Sequence, residues 1–419
     1  MTDSTPSDAT SPDRERRAEP NEDHGFSLES RLAAREARGL RRDRSPARDV
    51  CARTRFAADP KGEPPQFEGE RQLVFAANNY LGLATDERVQ RAAAAAAREV
   101  GTGAGASRLV TGDTGLHRAL ERDLAGTKGT DRALVFSSGY AANLGTISAL
   151  SPDVIFSDEL NHASIVDGCR FSDAETVVYE HADADALARA MAARDGAADE
   201  CWLVVTDSVF SMDGDIAPLA AICDTAERHG AWVMVDEAHA TGLYGNGGGL
   251  VQREGLSERV DVQLGTLSKA LGSQGGYVAG DEALVELLAN EARSFVYSTG
   301  LAPPAVGAAR EALRIAREGE VRRALWSTVE RLRDGLESMG YEVLGETQVL
   351  PVVVGERDDA VVLANELEER GVVAPAIRPP TVPDGTSRIR VAPMATHTDD
   401  DLERCLTAFE AAGTEVGVL

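Results

Sequence analysis

Trp232-Val-Met-Val-Asp236-Glu-Ala-His239-Ala-Thr-Gly242 runs from a short apolar stretch straight into an aspartate and, three residues later, a histidine. An unbroken apolar run of this length reads as a strand buried on both faces. Polar residues at its carboxyl end stand where a parallel sheet presents its chemistry. The same pattern recurs outward from it. Strands are expected at Arg132 to Phe136, Val154 to Ser157, Thr176 to Glu180, Trp202 to Thr206 and Val262 to Thr266, with helices such as 139–150 and 217–229 between them. This alternation predicts an α/β fold with a mostly parallel central sheet covered by helices.

Further along, helices are expected through 281–340. A second αβ unit follows: strand Pro351 to Gly355, helix 358–370, strand Arg388 to Ala392 and a final helix over 399–412 with Thr398 as N-cap. The chain divides into an acidic tail (1–25) expected to be disordered, an N-terminal arm (26–75), a large domain (76–295) and a smaller C-terminal domain (296–419). Within the arm, 27–45 reads as a basic helix. No internal repeat is visible.

Net charge is −26, which argues against nucleic acid as a partner, because phosphate backbones select basic surfaces. No apolar run reaches the roughly 18 residues of a membrane span. The tail has no apolar stretch that would make it a signal peptide. Five scattered cysteines without a Cys-x-x-Cys pair suggest neither a disulfide framework nor a metal site. A cytoplasmic protein is expected. Only three lysines occur, Lys61, Lys128 and Lys269, beside about 40 arginines. The acidic, lysine-poor composition fits a halophilic-type surface in a salty cytoplasm, and equally a GC-rich genome.

Lys269 lies in Gly265-Thr-Leu-Ser-Lys269-Ala-Leu-Gly-Ser-Gln-Gly-Gly276. Unlike arginine, lysine can lose its proton in a desolvating site and condense with a carbonyl. Asp236-Glu-Ala-His239 also matches a helicase metal box, but that fold needs a Gly-Lys phosphate loop, and no Gly-Lys dipeptide exists here. Gly101-Thr-Gly-Ala-Gly105-Ala106 resembles a dinucleotide fingerprint but follows a helix instead of a strand, so a tight turn near the site is the better reading. Ser138-Gly139-Tyr140-Ala-Ala-Asn143 falls between a strand and a helix, where free backbone N–H groups bind phosphate. Asn161-His162 offers a flat ring for stacking, and Arg388-Ile-Arg390 a bidentate clamp for a carboxylate. Together these are the parts of a pyridoxal-phosphate (PLP) site: a lysine to carry the cofactor, an aspartate for the pyridine nitrogen and a helix start for the phosphate.

Between about 27 and 413 the chain resembles the α-oxoamine synthase family, fold-type-I PLP enzymes with an aspartate aminotransferase-like architecture. The resemblance rests on Asn78-Asn-Tyr-Leu-Gly, Ser138-Gly-Tyr-Ala-Ala-Asn, Asn161-His-Ala-Ser, Val209-Phe-Ser211-Met-Asp-Gly-Asp, Val235-Asp-Glu-Ala-His239, Thr266-Leu-Ser-Lys269 and Tyr297-Ser-Thr. It implies that Lys269 bonds PLP, that Asp236 pairs with the pyridine nitrogen, and that His239 and Ser211 contact the ring hydroxyl. His162 would stack on the ring, and Gly139, Tyr140 and Thr266 would surround the phosphate. Arg390 would hold the amino-acid carboxylate, with Arg41, Asn78 and Thr381 lining the substrate site. Asp207 stands where some relatives have glutamate. Ser298 and Thr299 would reach the neighbouring subunit's phosphate in a homodimer with its active site at the interface. No metal is implied. Ala376-Ile-Arg-Pro-Pro-Thr381 through Arg390 is similar to the branch that joins L-alanine to a pimeloyl thioester, on CoA or acyl carrier protein, in biotin biosynthesis. Condensation of glycine with acetyl-CoA is the alternative. Aminotransferase chemistry on the same scaffold also stays open.

Overall fold

Residues such as Leu203-Val-Val205 and Val233-Met-Val235 are apolar without a break, and in a strand consecutive side chains point to opposite faces. Each run therefore needs cover on both sides. The computed structural model, which describes residues 26–41, 44–194 and 199–419, supplies it. The tail expected at 1–25 lies outside the described residues. Strands β1 (Arg132–Phe136), β2 (Val154–Asp158), β3 (Glu175–Tyr179), β4 (Trp202–Asp207), β5 (Trp232–Asp236), β6 (Val262–Thr266) and β7 (Gly276–Gly280) form one sheet in the order β1-β7-β6-β5-β4-β2-β3. Pairing is parallel except along β7, which runs antiparallel to both β1 and β6. Leu134, Phe136, Leu203, Val205 and Met234 pack under helices 139–150 and 282–291. Their neighbours Ala133, Val135, Val204, Val233 and Val235 join the core on the opposite face with helices 219–229 and 303–318.

Six of the seven strands lie within a residue of expectation; β7 was not anticipated. Glycines at both its ends weaken the strand signal. Gly276 has a steric reason: it sits opposite both Phe136 and Thr266, and a Cβ there would come 2.5 Å from the amide nitrogen of Gly139. The expected helical stretch 281–340 is a run of four helices, Glu282–Glu291, Arg293–Val296, Pro303–Glu318 and Glu320–Met339. The gap before Pro303 carries Tyr297-Ser-Thr299. Pro303 and Pro304 suit the first helical turn, where their missing N–H groups cost nothing.

Leu350–Gly355 and Ser387–Val391 pair antiparallel in the C-terminal unit, covered by helices Arg357–Glu369 and Asp399–Val416. Thr398 caps the last helix in a reciprocal box with Asp401, a motif worth about 1 kcal/mol. The arm contributes helix Leu28–Ala37. It also contributes Gln72–Val74, which pairs in parallel with Val372–Val373 and ties the arm to the C-terminal unit. Among the described residues no helix is long and apolar enough to cross a membrane.

Candidate active site

Parallel strands bring their carboxyl ends to one edge, and here that edge collects Phe136, Asp158, Asp207, Asp236 and Thr266. Asp236 and Asp207 are register partners on adjacent strands, so two buried carboxyls lie side by side. Their surroundings differ. Asp236 accepts from Asn143 Nδ2 at 2.7 Å and from the Ala238 amide at 2.8 Å, one donor for each oxygen. Asp207 accepts from the His162 amide at 2.8 Å. Burial, and then the nearby Asp236, push the Asp207 carboxyl well above the usual range.

His162 caps helix Ala163–Phe171. Its Nδ1 accepts from the Ser164 amide at 3.2 Å and lies 2.7 Å from Ser164 Oγ, which itself accepts from Asn143 Nδ2 at 2.9 Å. With Nδ1 an acceptor, the ring proton belongs on Nε2. Burial lowers the proton affinity of His162 as well. A neutral, oriented ring results.

Lys269 follows β6, and its Nζ is 2.7 Å from His239 Nε2. Burial outweighs the attraction of Asp236 and Asp207 and lowers the lysine to about 8. On its other side the buried His239 ring meets Tyr80 Oη at 2.7 Å, and Tyr80 donates to Asn78 Oδ1 at 3.0 Å. Asn78 Oδ1 can only accept, so Tyr80 spends its proton there and His239 must donate from Nδ1, leaving Nε2 as an acceptor facing the lysine. Burial, reinforced by Lys269 and Arg390, holds His239 well below its ordinary range and therefore neutral. Asn78 Oδ1 also accepts from Arg390 at 3.0 Å, and Arg390 Nε donates to the Ser211 carbonyl at 2.6 Å.

Beside this cluster, helix Gly139–Leu150 starts at Ser138, whose Oγ accepts from the Ala141 amide at 3.0 Å. The Gly139 and Tyr140 amides of the first turn have no helical acceptor. A Cβ on Gly139 would lie 3.4 Å from that of Thr266, so these two residues line one cradle. A buried aspartate with both oxygens held, a lysine of lowered proton affinity, an arginine and an anion-ready helix start fit the ring, aldehyde and phosphate of PLP.

The fold thus brings Lys269, Asp236, His162, His239, Asn78 and Arg390 together, with Ser211 on an adjoining hairpin. Gly139 and Thr266 lie at the neighbouring strand ends. Tyr140 is half exposed and donates to Asp167 at 2.5 Å. Arg41 and Thr381 are exposed. Arg41 pairs with Glu36 at 2.6 Å, and Thr381 follows Arg378, which donates to the Gly39 carbonyl at 2.9 Å. Three members of the network were not singled out from sequence: Tyr80, Asn143 and Ser164. All lie inside motifs already quoted, but nothing local marks their partners. Glu237 of the Asp-Glu-Ala-His run is buried against Lys128.

The chain matches the aminotransferase class I and II family over residues 70–409. It is 48% identical over 372 residues to the 8-amino-7-oxononanoate synthase of Geobacter sulfurreducens, covering 87% of this chain and 95% of that protein. The chain is an α-oxoamine synthase. Among solved structures this synthase is similar to the serine palmitoyltransferase of Sphingomonas wittichii, with TM-score 0.85 and 33% identity over 94% of this chain and 98% of the other. A further serine palmitoyltransferase of the same TM-score and 31% identity, covering 94% and 98% of the two chains, was solved with PLP as its internal aldimine. The 8-amino-7-oxononanoate synthase of Francisella tularensis aligns with TM-score 0.70 and 25% identity over 82% of this chain and 98% of that one. The synthase therefore has the expected fold-type-I architecture and is a PLP-dependent acyltransferase of that family.

Proposed function

We propose that this synthase condenses L-alanine with a pimeloyl thioester, releasing CO2, the free thiol carrier and 8-amino-7-oxononanoate. The observation that carries the proposal is the stretch Ile377-Arg-Pro-Pro-Thr381 through Arg390. It ends in an arginine already held by Asn78 and the Ser211 carbonyl at the edge of the lysine cluster. The likeness to the Geobacter protein supports it.

PLP, when bound, supplies an electron sink for negative charge at the amino-acid Cα. Asp236, fixed by Asn143 and Ala238, would hold the proton on the pyridine nitrogen. The first-turn amides of Gly139 and Tyr140, with Thr266, would bind the phosphate, while the neutral His162 ring would cover the cofactor face. Ser211 and His239 would orient the ring hydroxyl. Arg390 would bind the alanine carboxylate, beside Asn78. Lys269 Nζ would take the Cα proton, a role suited to an amine lowered to about 8. We further infer a homodimer, in which Ser298 and Thr299 serve the partner's phosphate. The 74% exposed Tyr297 beside them supports this, as do the exposed Leu109 and Val110 near the Ser107–Thr299 bridge.

The closer structural likeness to a serine palmitoyltransferase favours a second reading, serine with a long acyl chain. One matrix of alanine, glycine and serine against acetyl-, pimeloyl- and palmitoyl-CoA, and pimeloyl acyl carrier protein, decides. The expected result is highest kcat/KM for alanine with a pimeloyl thioester. Preference for serine with palmitoyl-CoA, or glycine with acetyl-CoA, would replace the proposal.

A further inference from the structure

His181 has no part in the chemistry above, yet it is bonded at both ring nitrogens to carboxylates. Nδ1 is 2.9 Å from Asp158 Oδ1 and Nε2 is 2.7 Å from Asp215 Oδ2, while the ring stands edge-on to Phe210 with centroids 4.3 Å apart. Burial alone would lower its proton affinity; the hydrogen bonds to Asp158 and Asp215 overcome that and raise it to about 10. His181 is therefore an imidazolium at neutral pH, and it joins two parts of the site.

On one side, Asp158 ends β2, its two oxygens also accepting from the Leu160 and Ala182 amides at 2.9 and 2.8 Å. On the other, Asp215 belongs to a hairpin closed by the Val209–Ile216 bridge and by the Phe210 amide, which donates to the Asp215 carbonyl at 3.2 Å. That hairpin presents the Ser211 carbonyl to Arg390 and Asp213 to Arg388 at 2.6 Å. Without the cation, Asp158 and Asp215 would face one another across the space of a ring and repel.

We propose that His181 is a positioning residue for Arg390: by clamping Asp215 to the sheet through Asp158, it sets the hairpin that fixes the arginine for the amino-acid carboxylate. The proposal rests on Arg390 being the carboxylate-binding group. A misplacement of the arginine by a fraction of an ångström weakens a bidentate pair without touching the cofactor.

The experiment uses the PLP-loaded holoenzyme. For His181→Asn, the dissociation constant of L-alanine is read from the change in cofactor absorbance, together with KM for the acyl thioester, PLP affinity and melting temperature. Alanine affinity is expected to fall on the order of tenfold, with thioester KM and PLP affinity within about twofold, since the hairpin offers PLP only Ser211 beside the lysine, aspartate and helix-start contacts that lie elsewhere. In an Arg390→Lys background the same substitution should add little, because the two act through one contact. Unchanged alanine affinity in His181→Asn, or a parallel loss of all the constants, overturns the proposal. Should that variant fail to fold, Asp215→Ala is judged by the same readouts. If Arg390→Lys alone leaves alanine binding intact, the assignment of Arg390 falls instead.

Discussion

Lys269 Nζ stands 2.7 Å from His239 Nε2, and the other nitrogen of that ring is committed to Tyr80 at 2.7 Å. The imidazole is buried, neutral and fixed as an acceptor toward the lysine. The lysine thus meets a hydrogen-bond partner but no counter-charge at this contact, and desolvation governs its proton affinity.

The first expectation concerns pH. An amine at about 8 is roughly half neutral at pH 8, where an ordinary lysine near 10.4 is under about 1% neutral. Because the folded value is depressed, the reactive neutral form gains as pH rises through about 8. The rate at which the apo-protein takes up PLP, followed by visible absorbance, should rise with a midpoint near that value. A midpoint near 10 would show that the lysine is not desolvated. Lys269→Ala should lose the absorbance of the lysine-bound cofactor and nearly all turnover.

Asn143 donates both to Asp236 and to Ser164, and so supports the carboxylate and the His162 ring together. Asn143→Ala leaves a buried carboxylate short of one donor. A stability loss of about 1–3 kcal/mol is expected, measured by urea unfolding, with weakened PLP retention in dialysis. Retention equal to that of the parent would remove Asn143 from the site.

Lys128 and Glu237 are both fully buried, the lysine also donating to the Gly248 carbonyl at 2.9 Å and the glutamate accepting from the Val251 amide at 3.0 Å. Lys128→Met alone should cost about 3–5 kcal/mol by stranding the carboxylate. Lys128→Met with Glu237→Leu should recover much of it. Denaturant melts of the two single variants and the double variant test this coupling, and strict additivity would contradict it.

A net charge of −26 sets like charges against one another over the surface. Melting temperature is expected to rise from low salt to molar KCl as screening grows. Equal stability at both would leave the acidic composition without a halophilic role.

Much of the fold was legible because its signals are local. Strand β5 is an unbroken apolar run ending in Asp236, and Thr398 with Asp401 marks a helix start within four residues. The paired segments of the arm were not legible. Strands as short as Arg53–Thr54 or Gln72–Val74 have no period to read, and Gln72–Val74 finds its parallel partner at Val372–Val373 only in the folded chain. Strand β7 was lost for a different reason: the glycine that lets helix Gly139–Leu150 approach the sheet is the residue that hides the strand.

The amino-acid order by itself determined the alternating α/β architecture, the family and the residues suited to PLP chemistry, since periodicity, caps and strand-end motifs are properties of neighbouring residues. Only the tertiary structure decided which of those residues meet and in what protonation state. His239 finds Tyr80 across 159 positions, and His181 joins Asp158 to Asp215. Proton affinity is set by burial and by the distance to each partner, and neither exists until the chain has packed.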